Sequence, residues 1–300
     1  MGAIKNKKSG LKSPERLYNR YSGVPVVYVE SDEDQYVFGE CWFNEQSSRL
    51  EFKPVAARNG NALEATSGCN AVIEAVRQER TSGNSAWGIV DRDAVFSHRR
   101  WDLVHEIDDG VFDEAKPFGR HVKVLRRWEM ESYLIDVACI EKCRAEHKMG
   151  GVRSEDEVWA ELLVDCQALI PHAALNAVHH EFCEEGVGDG RTNRMANRFD
   201  VEAKLIQPAL TALAGRHTLC LERYAQYLDS ADAFDRSGQP AAVRVASLLR
   251  RVHGKAVLSR FESRHGLPNI KGPLAARIKE AGRVPDELRD FVSHAVADQA

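Results

Sequence analysis

The run Ser85-Ala86-Trp87-Gly88-Ile89-Val90 ends abruptly in Asp91-Arg92-Asp93, an apolar stretch closed by two acids one residue apart. A short apolar run of this kind predicts a strand buried on both faces of a parallel sheet. Ligands in such sheets gather at the carboxyl ends of the strands. Side chains repeat every two residues along a strand, so Asp91 and Asp93 point the same way if strand geometry continues through them. Two converging carboxylates repel unless a cation joins them. The plainer reading is an Asp-rich turn that caps the next helix, since Asp favours both positions.

Two further acid clusters follow the same plan. Val24-Pro25-Val26-Val27-Tyr28-Val29 is a β-rich run that closes with Glu30, and Ser31-Asp32-Glu33-Asp34 leads into a helical pattern of Tyr36, Val37, Phe38, Cys41 and Trp42. Asp32, Glu33 and Asp34 suit a helix N-terminus, where acids complement the dipole; Glu30 precedes the cap and has no such explanation. His121-Val122-Lys123-Val124-Leu125 predicts a third strand end. Arg126-Arg127-Trp128-Glu129-Met130-Glu131-Ser132-Tyr133-Leu134-Ile135 turns from it into a helix whose Met130, Tyr133 and Leu134 face the core. An ordinary solvated first turn accounts equally well for Glu129 or Glu131 taken singly. As hard oxygen donors, Glu30, Asp91 and Asp93 suit Mg²⁺ or Mn²⁺, and Glu129 or Glu131 could bring a second ion or orient the first.

In the order Val-Tyr-Val-Glu30-x-x-x-Asp34, Gly-Ile-Val-Asp91-x-Asp93 and Trp-Glu129-x-Glu131-Ser-Tyr-Leu, the chain resembles a Toprim domain. More narrowly, it is similar to the small Toprim proteins related to the OLD nucleases and found beside ABC-type ATPases in bacterial anti-phage loci of the PARIS type. The likeness runs from about residue 24 to 136 and, more faintly, to His253-Gly254-Lys255. Ser31 stands where these proteins carry glycine, which asks it for a backbone conformation that glycine reaches more easily.

The resemblance implies a metal-dependent endonuclease. Glu30, Asp34, Asp91 and Asp93 would be metal ligands, with Glu30 also a general base; Glu129 and Glu131 would be further metal ligands, Glu131 in a second-metal role; Lys255 would neutralise charge on the transferring phosphate. It also implies a toxic effector that cleaves host nucleic acid, tRNA rather than DNA, when released by an ABC-type ATPase that holds it inactive, and that self-associates on release. A non-catalytic Toprim-like module of an ATPase complex is the competing expectation. Another phosphoryl transfer, such as primer synthesis or strand passage, is disfavoured because no strand-passage tyrosine domain or zinc ribbon is evident.

The coarse pattern predicts a mobile basic arm over residues 1–12, a short helix from Ser13, a strand over Leu50 to Ala56 and a helix introduced by Gly60 and carrying Ala71, Val72, Ile73, Ala75 and Val76. Strand and helix alternate, which predicts an α/β fold with a mainly parallel, doubly wound sheet flanked by helices over residues 13–136. Beyond Asp136 long amphipathic patterns predict an α-helical domain, residues 137–300, as lid, docking or dimerisation unit. Its clearest breaks are Gly186-Val-Gly188-Asp-Gly190 and Ser237-Gly-Gln-Pro240. No Lys-Ser/Thr follows the glycines, so this is not a P-loop and any ATP switch belongs to another polypeptide.

No apolar segment reads as the roughly 18 to 20 residues of a membrane span, and the start of the chain, with Lys5, Lys7, Lys8 and Lys12, lacks a signal peptide's apolar stretch; the expectation is a cytoplasmic protein with no membrane partner. Seven cysteines without a framework read as reduced thiols, with Cys139 and Cys143 as packing residues, and His179-His180 makes no convincing metal site. The net charge of −4 argues against a protein that coats DNA. Local basic groups occur at His98-Arg99-Arg100, Arg126-Arg127, Arg191, Arg194, Arg198, Arg250-Arg251, Lys255 and Arg260, each as readily a salt-bridged helix face as part of a phosphate-binding groove.

Overall fold

The computed structural model describes residues 23–55, 68–147, 151, 153–183, 187, 192, 195 and 197–298. The basic arm, the helix from Ser13, the end of the second strand at Ala56, the helix start at Gly60, most of the Gly186–Gly190 break, Arg191 and Arg194 lie outside them.

Four parallel strands form one sheet in the order β2-β1-β3-β4, with β1 Val26–Val29, β2 Glu51–Pro54, β3 Ala86–Val90 and β4 Val122–Val124. Between β1 and β2 lie the one-turn helix α1 (Asp32–Gln35), a π-helical segment Tyr36–Trp42 and a 3₁₀ turn; α2 (Gly68–Thr81) crosses back to β3. Three short helices, α3 (Ala94–Ser97), α4 (Trp101–Val104) and α5 (Asp109–Ala115), separate β3 from β4. The chain leaves β1 towards one edge and β3 towards the other, so the strand order reverses between them. That reversal opens the crevice in which doubly wound sheets bind their ligands.

Beyond β4 a 3₁₀ helix, Met130–Leu134, stands where the sequence predicts the start of an α-helix. It is followed by α6 (Val137–Glu146), α7 (Glu155–Cys183), α8 (Arg198–Val201), a π turn, α9 (Gln207–Ala214), α10 (Cys220–Asp232), α11 (Ala241–Leu248), α12 (Gly254–His265), α13 (Lys271–Glu280) and α14 (Asp286–Ala297).

Strand alternation sorts the sheet's side chains onto two buried faces. Val27, Val29, Trp87 and Ile89 pack with Leu162, Leu248, Phe261, Leu274 and Leu288. Val26, Tyr28, Ala86 and Val90 pack with Val72 and Val76 of α2 and with Ala174, Val178, Val201 and Leu210. The chain on either side of residue 136 therefore builds both cores together, and the helical C-terminal region sandwiches the sheet.

Helix α7 corrects one expectation. It has 29 residues and includes a stretch apolar enough to cross a bilayer, which the sequence reading overlooked, but 72% of that stretch is buried inside the protein. It is the central core helix, packed against α10, α11 and α12.

Candidate metal centre at the sheet switch point

Glu30 follows β1 directly, and its Oε1 accepts the backbone N–H of Asp91, at the end of β3, at 3.0 Å. That bond closes the crevice between the two strands. One ligand atom each from Glu30, Cys69 and Asp93 lies within 4.8 Å of the others. Cys69 arrives because α2 starts against Glu30: Gly68 sits at φ +27°, and a Cβ there would collide with the Glu30 carboxylate.

Strand geometry does not continue through the Asp-x-Asp motif. β3 ends at Val90, and Asp93 adopts helical angles (φ −64°, ψ −16°) at the N-cap position of α3 without making a side-chain cap bond. The turn leaves Asp91 within reach of the Asp93 charge, and neither the extended-strand reading nor a side-chain cap describes the motif. Arg92, between them, is wholly buried and donates to Arg126, Leu103 and Glu106 carbonyls, locking that turn.

The third strand end is tied in by Arg92 N–H to the Trp128 carbonyl at 2.9 Å. Glu129 accepts the backbone N–H of Lys255 at 2.5 Å, and His253 Nδ1 stands 3.8 Å from its other oxygen. The His253-Gly254-Lys255 segment, far along the chain, thus does reach the acids. Lys255 does so through its main chain, at the start of α12, with its side chain exposed. Gly254 is required there because a Cβ would run into Ser132.

The acids strain one another electrostatically. Burial, then the Asp93 charge, pushes Glu30 up to about 8, against the help of the Asp91 N–H. Burial raises Asp93 to about 6, with Glu129 adding and His253 opposing. Asp91 rises well above the carboxylate range through burial and the charges of Glu30, Asp34, Asp93 and Glu129. Glu129 alone falls: burial would raise it, but His253 and the Lys255 N–H outweigh that.

Asp34 and Glu131 are placed differently from the other sequence candidates. Asp34 forms a capping box with Ser31, accepting from its N–H at 3.0 Å and its hydroxyl at 2.8 Å. Burial still raises it to about 6, opposed by those Ser31 bonds and reinforced by Glu131 and Glu33. Ser31 itself is extended (φ −138°, ψ 165°), so serine needs no glycine-like conformation here and serves as the cap. Glu131 pairs with Lys271 Nζ at 2.7 Å, and the same ammonium reaches Glu33 at 2.9 Å. Sequence reasoning missed Lys271 and Cys69. Nothing local marks either: a cysteine after a glycine and a lysine at a helix start are commonplace until folding brings them to the acids.

The donor set fits a hard divalent ion, since buried carboxylates that hold protons for want of a counter-charge are what such an ion relieves. The Cys69 thiol is a softer donor that Mg²⁺ does not favour. By contrast, most basic residues are committed within the fold. Arg126 pairs with Asp113, Arg198 with Asp232 and Glu202, Arg250 with Asp109, and Arg260 with Asp165; Arg127 donates to the Ser132 carbonyl and Arg251 to that of Ala173, stacked on Trp128. Cys139 and Cys143 are buried packing residues, and His180 stacks on Phe96. Comparison with protein-family models, with curated proteins and with solved structures finds no match for this chain.

Proposed function

We propose that the protein is a divalent-metal-dependent endonuclease of the Toprim type, the cytoplasmic effector of an anti-phage defence system resembling AriB of the PARIS type, held inactive by an AriA-like ABC-type ATPase. The observation that carries the reading is the meeting of Glu30 and Asp93, with Cys69, at the crevice where the sheet order reverses, together with the charges of Asp91 and Glu129 acting on them.

Glu30, Asp91, Asp93 and Glu129 would hold Mg²⁺ or Mn²⁺, which when bound supplies Lewis-acid polarisation of the phosphoryl group and acidifies water. Glu30, held by the Asp91 N–H on one oxygen, would take the proton of an attacking water once the ion has relieved its raised proton affinity. The Asp91 N–H and the Lys255 N–H orient Glu30 and Glu129, and buried Arg92 fixes the turn between the aspartates. Water's oxygen joins phosphorus as the bond to the leaving nucleotide oxygen breaks. The exposed Lys255 side chain would offset phosphate charge.

Incubation of the purified chain with tRNA, mRNA and plasmid, under Mg²⁺, Mn²⁺ or chelator, tests the reading. Metal-dependent cleavage, with tRNA cut first, is the expected result, and Glu30→Ala should abolish both cleavage and growth arrest on expression at unchanged abundance. Toxicity that persists in Glu30→Ala argues for a non-catalytic module instead.

A further inference from the structure

This inference deepens the metal-site reading and rests on it. We propose that the centre takes a single divalent ion, and that the Lys271 ammonium supplies the positive charge a two-ion centre would draw from its second metal. Of the two acids that could hold a second ion, Glu131 already has a cation 2.7 Å away, with both side chains largely enclosed (Lys271 14% and Glu131 9% exposed). Glu129, the other, is already counted among the acids proposed for the first ion, with one oxygen engaged by the Lys255 N–H and the other beside His253.

Lys271 is held there by construction. It is the first residue of α13, and Trp42 Nε1 donates to the Ala275 carbonyl of the same helix at 3.0 Å in the core. Just before it, the Ile270 N–H is accepted by Glu262 at 2.9 Å, and the Lys271 N–H by Asn269 at 3.1 Å. The helix start is therefore pinned on both sides, and the ammonium stands between Glu33 of α1 and Glu131 of the 3₁₀ helix. The two acids differ. Glu33 is 41% exposed, so an incoming phosphate oxygen can take its place on the ammonium while the enclosed Glu131 stays bound. A lysine is suited to that exchange, being a point charge with three rotatable donors.

Mn²⁺ titration of the full chain, following the free ion by electron paramagnetic resonance, tests this. Wild type and Lys271→Arg should each bind one ion. Lys271→Met should bind two, because Glu33 and Glu131 lose their cation, and adding Glu131→Gln to it should return the count to one. Thermal melts by circular dichroism establish that each variant is folded; if Lys271→Met is not, the counts for wild type and Lys271→Arg still decide. Two ions in wild type, the second lost in Glu131→Gln, overturn the proposal, as does a single ion in folded Lys271→Met. A wild type that binds no ion overturns the metal-site reading itself and takes this proposal with it.

Discussion

Glu30 shows how one residue sets the behaviour of the centre. Its ordinary carboxyl value is 4.5 and in the fold it is pushed up to about 8, by burial first and Asp93 second. Between those values the folded state holds a proton that the unfolded state has released, so Glu30 lowers stability as pH rises through that window. Half-buried His105 and His180, each lowered to about 4 chiefly by burial, add the opposite slope below their unfolded values. The useful reading is thus the difference between variants: without metal, the melting temperature of wild type should fall relative to Glu30→Gln from pH 5.5 to 8.5. Parallel profiles would show that Glu30 is not strained. A divalent ion removes the same strain by adding charge. Ions at about a hundred times their dissociation constant should stabilise the wild type by about 2.7 kcal/mol. The double substitution Asp91→Asn with Asp93→Asn should keep the fold and lose that rise; an equal metal response in both proteins would place the ion elsewhere.

At the level of elements, the acids are arranged by where strands stop and helices start. The start of α12 is one tight junction of this kind, because Gly254 lies directly on Ser132 and the next N–H orients Glu129. Gly254→Ala should cost about 1–3 kcal/mol through overpacking, read from urea unfolding, and should weaken Mn²⁺ binding as the Lys255 N–H moves off Glu129. Unchanged Mn²⁺ affinity in the destabilised variant would separate that helix start from the site. The strands were legible in the sequence: Val26–Val29 and Ala86–Val90 are apolar, enriched in β-branched or aromatic residues, and each closed by an acid, a pattern that local chemistry alone produces. Glu30, Asp91 and Asp93 stood out as candidates for the same reason, and Glu129 as an acid beyond the third strand. What escaped was set by approach between distant segments. Ser31 reads as a misfit glycine until its capping box with Asp34 is seen. Glu131 reads as a ligand until Lys271, 140 residues away, is found on it. Helix α7 reads as one amphipathic pattern over Glu155 to Phe182, and only the later helices packed on it enclose most of its apolar stretch.

For the whole molecule, the arginines matter as much as the acids. With Arg126, Arg127, Arg198, Arg250, Arg251 and Arg260 engaged inside the fold, a phosphate-binding groove on this chain falls to other residues, Lys255 among them, or to a second copy or partner. Co-expression with the neighbouring genes of its native locus should therefore recover the chain bound to an ATPase, and recovery of an equally active monomer with or without those genes would refute regulated release. The sandwiching of the sheet makes a further demand. Trp87 and Ile89 on one face share a core with residues of α11 to α14, and Tyr28 and Val90 on the other share one with residues of α7 to α9, so neither core is built by the first 136 residues alone. Burial of such side chains contributes about 1.5–3 kcal/mol each. A fragment ending at residue 136 loses many of these contacts at once, far more than the few kcal/mol by which domains are typically stable. It should show no cooperative urea transition and no Mn²⁺ binding, whereas the full chain should unfold in one step. A fragment that melts cooperatively and binds the ion would show that the sheet layer stands without its helical cover.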